Sequence, residues 1–466
     1  MRQLLILAMV YPICCFSQSS KWESIGKFSG SASIFFEDTT ADNFFIGGEF
    51  LFYNEDTMRG IGIWNGTNLT NLGCGFDWDC VNSNTWGGVF RPTRISKYDS
   101  KIYIGGLFKL ANGKTVNGLT WWDGSDFQQV GTGLKGNGGT AGVCWSMSII
   151  NDELYVGGTF DSIAGIAVNS LGKYDGQEWS TVHALPRFEP TNPNFVNAIA
   201  EHKETLYVGG NFHNLPMGTI NDLVKWNGVE WEGIPGFEEP SVIVDMVIYK
   251  DQLYVSGDFH FTGDGVQNGY DIVRSDGVHW YDVGGGVLGG QIDKMVTDGN
   301  YLYVAGGFNL AGDIPCNNLA RWDGNQWCSF NSEFDSKVGA IGFYRDTMYI
   351  GGGFWSIDGD TSLAKVTRYI GVDSLFPCSE PVGIYEVHNE KDEFWIFPNP
   401  TSNEISIECP LLGKITIINE LGQHVESLMI QNRKQLISTA HLSSGIYFIT
   451  FQAEEMMQTK KLLIKH

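Results

Sequence analysis

Basic residues are scarce in this chain. Lys and Arg number 30 against 53 Asp and Glu in 466 residues, a formal net charge of −23. Phosphate backbones are repelled by such a field, which argues against nucleic acid as a partner. The acidity reads as solubility outside the cell rather than as an acid-lined site. Long amphipathic helical patterns are missing, so almost no helix is expected. Beyond the extreme N-terminus no apolar run reaches membrane-spanning length. No Cys-x-x-Cys occurs, so neither a zinc knuckle nor a thioredoxin-type site is indicated. His-Glu-x-x-His, Gly-x-Ser-x-Gly and the phosphate-binding Gly-x-x-x-x-Gly-Lys are absent too. Two Gly-x-Gly-x-x-Gly strings, Gly131–Gly136 and Gly284–Gly289, fall where an outer strand ends and open no helix; both read as turns. Asp258 with Asp264-Gly265, and Asp358-Gly359-Asp360, lack the alternating oxygen ligands of a calcium loop and read as solvated acidic turns. No catalytic residue, metal site or cofactor is therefore assigned.

Glycine is plentiful, at 59 residues, and much of it is periodic. The stretch Leu154-Tyr155-Val156-Gly157-Gly158-Thr159-Phe160 recurs as Phe44–Phe50, Ile102–Phe108, Leu206–Phe212, Leu253–Phe259, Leu302–Phe308 and Met348–Phe354. The spacing suits propeller blades. Each copy is apolar on both faces, as a strand covered on both sides must be. Its second small residue is always Gly (Gly48, Gly106, Gly158, Gly210, Gly257, Gly306, Gly352), which permits positive φ or close approach of another backbone. The next strand closes in Asn65-Gly66, Asp123-Gly124, Asp175-Gly176, Asn227-Gly228, Asp276-Gly277 or Asp323-Gly324, dipeptides that favour a type I′ hairpin. A large apolar residue, such as Trp179 or Trp231, then opens an outer strand. A further apolar run precedes each anchor. Four antiparallel strands per unit, seven units packed radially, give an all-β, seven-bladed β-propeller over residues 18–371. The seventh unit lacks its outer strand, and Lys21–Gly26 matches one, so the N-terminal strand is expected to complete the last blade.

Val156-Gly157-Gly158, Tyr174 and Trp179 resemble the kelch-type propeller repeat. The chain departs from it in carrying Asp/Asn-Gly where Tyr-Asp-Pro is usual. Residues 372–393 read as a linker, and 394–466 as a small β-sandwich. Its landmarks are Pro398-Asn399-Pro400, the Gly422 turn, Gly445 with Tyr447, and Lys460-Lys461. In that order they resemble the type A C-terminal sorting domain of the type IX secretion system of Bacteroidetes. The resemblance implies that residues 394–466 engage the type IX machinery. Residues 1–17 read as a signal peptide, with Gln18 as the mature start; Cys14 and Cys15 lack a lipobox context. The expected product is secreted or attached to the outer surface.

Among seven mature cysteines, Cys74/Cys80 and Cys316/Cys328 are candidate disulfides, and scattered buried thiols are the alternative. The position after the repeated Phe varies from unit to unit, and framework positions do not. Loops there nominate Asp161, His213, His260, Phe261 and Trp355 as binding residues for a glycan, peptide or protein, with ordinary loop residues as the bland alternative. The functional expectation is an exported recognition protein. The alternatives are a polysaccharide hydrolase or lyase with carboxylates at the channel mouth, and a structural or adhesive surface protein.

Overall fold

A computed structural model of the protein describes residues 21–77, 90–183, 185, 194–212, 222–371, 394–397, 401–409, 412–419, 423–430, 432, 434–453 and 456–465. The leader, the linker, His213, Cys80, Pro398–Pro400 and Gly422 lie outside them. The chain divides into two compact units, one ending at Glu380 and one starting at Pro381. The described residues are all-β, with three short 3-10 turns and no α-helix.

Seven four-stranded antiparallel sheets make up the first unit. They are numbered here in chain order by their first strands: Ala32–Asp38, Arg91–Tyr98, Val143–Ile150, Phe195–His202, Phe237–Tyr249, Ile292–Thr297 and Val338–Tyr344. Sheets 1 to 6 run first, second, third, fourth strand without crossover. Sheet 7 takes its fourth strand from the chain's start: Trp22–Ser24 pairs with Val366–Tyr369, placing Trp22 opposite Tyr369 and Ser24 opposite Thr367. The first strand of each sheet touches that of the next, and that of sheet 7 touches that of sheet 1.

The anchor aromatics, Phe45 through Tyr349, are buried, and so is every repeated Phe, from Phe50 at 0 % to Phe259 at 4 % exposure. The invariant second Gly does not adopt positive φ. A Cβ on Gly210 would lie 1.7 Å from the Phe195 carbonyl oxygen, and one on Gly158 would lie 2.0 Å from that of Val143. The same clash with the neighbouring first strand recurs in all seven sheets. Close backbone approach, not turn geometry, demands glycine there.

Turn chemistry differs from the sequence expectation. Between the third and fourth strands the pairing Trp64–Leu69 leaves a four-residue loop, not a two-residue type I′ turn. Gly66 takes φ +100° while Asn65 does not go positive. The Asn65 carboxamide oxygen instead accepts the N–H groups of Thr67 and Asn68, at 3.0 and 2.9 Å. Asp123, Asp175, Asn227, Asp276 and Asp323 repeat this Asx turn. Those backbone donors hold Asp123 and Asp276 down to about 2. Two-residue turns with both φ positive lie between first and second strands, as in Asn151-Asp152 (+49°, +60°) and Lys250-Asp251 (+49°, +58°). They do so without glycine.

The cysteine expectation is also corrected. Cys74 and Cys328 are each in a disulfide. Cys316, like Cys144 and Cys409, is free and buried, so the Cys316–Cys328 pair is not made.

In the second unit two antiparallel sheets share one core. Trp395–Phe397, Glu404–Glu408 and Lys434–Ser438 form one; His424–Met429, Lys414–Asn419, Gly445–Ala453 and Met456–Ile464 form the other. Ile405, Ile407 and Ile437 from the first meet Ile415, Ile417, Phe451 and Leu462 from the second.

Candidate functional site

Every first strand carries a β-bulge at the same place. The register slips between Ala32 and Ile34, Pro92 and Arg94, Cys144 and Ser146, Val196 and Ala198, Ile243 and Asp245, Ile292 and Lys294, and Val338 and Ala340. The extra residues are Ser33, Thr93, Trp145, Asn197, Val244, Asp293 and Gly339. A bulge re-aims the residue it leaves unpaired. All seven line one cavity of about 450 Å³. Arg91, Arg94, Gln291, Lys337 and Glu49 also line it.

Side chains at and beside the bulges also join adjacent sheets. The Ser33 hydroxyl donates to the Pro92 carbonyl at 2.7 Å, Thr93 to Cys144 at 2.6 Å, and the Asn197 amide to Ile243 at 2.9 Å. Beside the bulges, Ser146 donates to the Val196 carbonyl at 3.0 Å. The Met295 N–H donates to the Asp245 carboxylate at 2.9 Å, and the Lys337 ammonium donates to Asp293 at 2.7 Å. Otherwise open inner strand edges are thus bridged sheet to sheet.

Charges in the cavity are mostly matched. Glu49 pairs with Arg91, Asp293 with Lys337, and deeper, Asp245 with Lys294 at 2.7 Å. Burial pulls the Lys294 ammonium below its ordinary range, Asp245 opposes this, and the Arg94 guanidinium adds to it. Arg94 itself donates to the Thr93 and Asn197 carbonyls, at 2.8 and 3.5 Å. The Trp145 indole N–H donates to the Thr159 hydroxyl at 2.9 Å, which fixes the ring plane.

Of the residues nominated from sequence, the four described ones, Asp161, His260, Phe261 and Trp355, do not line this cavity. Asp161 is half-buried; its N–H donates to Lys135 and its carbonyl accepts from Val168, framing a two-strand hairpin. His260 stacks on Tyr270, centroids 4.4 Å apart and planes at 6°. Phe261 is 0 % exposed and packs on Phe237 and Trp280, as a core residue does. Trp355 is 65 % exposed, with the Lys365 ammonium 3.7 Å over its ring. These residues sit on sheets 3, 5 and 7 and do not converge. The acidic turns bond backbone: Asp264 accepts from Trp280, Asp358 from Glu333 and Asp360 from Ser362. Asp271, which accepts the Phe259 N–H, is pushed up to about 7 by burial, with Asp258 adding to the effect. Asp222 accepts the Phe212 N–H in the same way, so this is a structural cap on the repeated Phe.

In the second unit, the Tyr447 hydroxyl donates to the Ser443 carbonyl at 3.1 Å, and Gly445 opens its strand. Lys460 pairs with Ile449 and Lys461 with Phe448. Residues 395–465 match the secretion system C-terminal sorting domain family. This sorting domain is of the type IX system, and it marks a secreted or cell-surface protein. No described helix is long and apolar enough to cross a membrane. No curated protein matches the chain. Three solved structures are similar. The extracellular domain of a hybrid two-component system from B. thetaiotaomicron shares 13 % identity (TM-score 0.42), covering 94 % of this chain and 57 % of its own. The GH74 enzyme of Niastella koreensis shares 12 % (TM-score 0.41; 94 % and 67 %). The RRP9 WD40 repeats share 8 % (TM-score 0.42; 74 % and 96 %). This chain therefore spans little more than half the length of the first.

Proposed function

We infer that the seven sheets are the blades of a closed seven-bladed β-propeller, and that the exported protein recognises an extracellular ligand at the mouth of its central channel. The observation that carries this is the ring of bulged residues. Seven equivalent positions face one cavity, and they hold Ser, Thr, Trp, Asn, Val, Asp and Gly. The framework around them repeats; they do not. A packing role would select one residue type seven times, whereas a binding surface needs different groups at different points.

Recognition is favoured over catalysis by the state of the carboxylates. Glu49 and Asp293 line the cavity, as a hydrolase would require, but each is held in an ion pair with Arg91 or Lys337. A proton donor and a free base facing one substrate are not built from two such paired groups. The kelch affinity of the repeat and the 1–17 signal peptide belong to the same proposal.

Two experiments test it. Filling the mouth with Val244→Trp abolishes binding to whichever ligand a glycan and peptide array returns for the wild-type protein; undiminished binding places the ligand elsewhere. Deleting residues 394–466 retains the protein in the periplasm, read by cell fractionation; normal export of the truncation contradicts the route.

A further inference from the structure

We propose that the channel mouth takes an acidic saccharide, a sugar ring bearing a carboxylate or sulfate, with Arg94 binding the anion and Trp145 stacking on the ring. This deepens the recognition reading above and rests on it. The argument starts from charge. Each carboxylate in or beneath the cavity already has its own cation: Glu49 has Arg91, Asp293 has Lys337, and Asp245 has Lys294. Arg94 has no carboxylate within ion-pair distance among the described residues. Its guanidinium carries five N–H donors. Two contacts go to backbone carbonyls, which orient the fork and leave donors facing the cavity. A fixed guanidinium with spare donors matches a planar or tetrahedral oxyanion in two-point contact. It is an uncompensated positive charge at the centre of a chain of net charge −23.

The remaining lining selects a saccharide over an acidic peptide. Ser31, Ser33, Asn197 and Gln291 offer hydroxyl and amide groups suited to sugar hydroxyls, and the half-buried Trp145 offers a flat apolar face in a fixed plane. A peptide bound by strand addition needs an open edge. Here the inner edges are occupied by the bonds from Ser33, Thr93, Ser146 and Asn197 to the next sheet. Val244 is the lone aliphatic among the seven bulge residues, so hydrogen-bonding groups outnumber aliphatic ones there.

The test titrates the full chain, as exported, with hexuronic acid oligosaccharides, their carboxyl-reduced neutral counterparts, a sulfated neutral oligosaccharide and poly-glutamate, by calorimetry. At least one acidic saccharide binds, and its neutral counterpart binds at least tenfold more weakly. Arg94→Gln removes that difference, Arg94→Lys keeps part of it, and Trp145→Ala weakens acidic and neutral sugars alike, all with unchanged melting temperature. Equal binding of acidic and neutral sugars overturns the proposal, as does discrimination that survives Arg94→Gln. Poly-glutamate bound as tightly as the uronate, or no acidic saccharide bound at all, does the same. Val244→Trp separates the two levels. If it blocks a ligand that shows no acid preference, the mouth remains the site and this inference falls; if binding persists through the plug, the recognition reading falls with it.

Discussion

The proposed closure of the propeller rests on the pairing of Trp22 with Tyr369, and replacing Trp22 tests that latch directly. Trp22 is 2 % exposed and sits among Tyr369, Phe334 and Phe330, with centroids at 5.1, 5.6 and 6.1 Å. Its indole N–H donates to the buried Ser332 hydroxyl at 2.9 Å. Trp22→Ala removes a buried aromatic, about 3–5 kcal/mol, and leaves the Ser332 oxygen without its donor, a further ~1 kcal/mol or more. A loss of about 4 kcal/mol is a large share of the ~5–15 kcal/mol that holds a typical fold. If the ring opens as one unit, that loss is felt on its far side. Amide hydrogen exchange read by mass spectrometry then shows Phe195–Asn211, in sheet 4, speeding up by about a thousandfold. A strand that merely frays exposes Val338–Tyr369 and leaves sheet 4 unchanged. That second pattern refutes the latch, and so does a destabilisation below ~1 kcal/mol.

Two further substitutions probe the framework. Gly210→Ala puts a Cβ 1.7 Å from the Phe195 carbonyl oxygen, which no side-chain rotation relieves; the first strand of sheet 4 must move, and stability falls by about 3 kcal/mol or more in urea unfolding. Ala at position 256, in the neighbouring first-Gly slot, is harmless by comparison, because Ser256 already fills it. Asp271→Asn keeps the acceptor for Phe259 and removes the charge. Because the folded Asp271 titrates near 7, above its unfolded value, the wild type loses stability as pH rises from about 4 through 7. The Asn variant therefore melts higher than wild type at pH 8, and the gap closes toward pH 4. A constant gap across that range contradicts the burial of the Asp271 carboxyl.

The repeat made the architecture legible. A strand apolar on both faces needs cover on both faces, and the misplaced outer strand at Lys21–Gly26 pointed to the pairing of Trp22 with Tyr369. The turns misled because Asn-Gly is a local signal for a two-residue hairpin, while an Asn or Asp side chain can cap a longer loop with the same letters. The proposed site at the bulges left a fainter signal for a related reason. Variation after the repeated Phe drew attention to Asp161 and Trp355, but those loops are pinned by backbone bonds or stand apart on the rim. The bulged position varies just as much and sits at a constant distance ahead of the second anchor glycine in sheets 2 to 7 (Asn197 and Gly210, Asp293 and Gly306). What hid it is that a bulge leaves no mark in an apolar run: Cys144-Trp145-Ser146 and Ile243-Val244-Asp245 read as ordinary alternation.

Bulge and glycine are one device. The extra residue pushes the first strand's carbonyl toward its neighbour, and the second anchor Gly is the hollow that receives it, as Gly158 receives Val143 and Gly306 receives Gln291. With the clash absorbed by a missing Cβ, the bulge needs no particular side chain of its own. That is why Ser33, Trp145, Asp293 and Gly339 can occupy equivalent places in their sheets. The most rigid feature of the repeat is therefore what frees the seven positions at the mouth to differ. A change at Val244 alters the chemistry of the cavity at little cost to the fold, while the same change at Gly210 or Gly257 costs the fold itself.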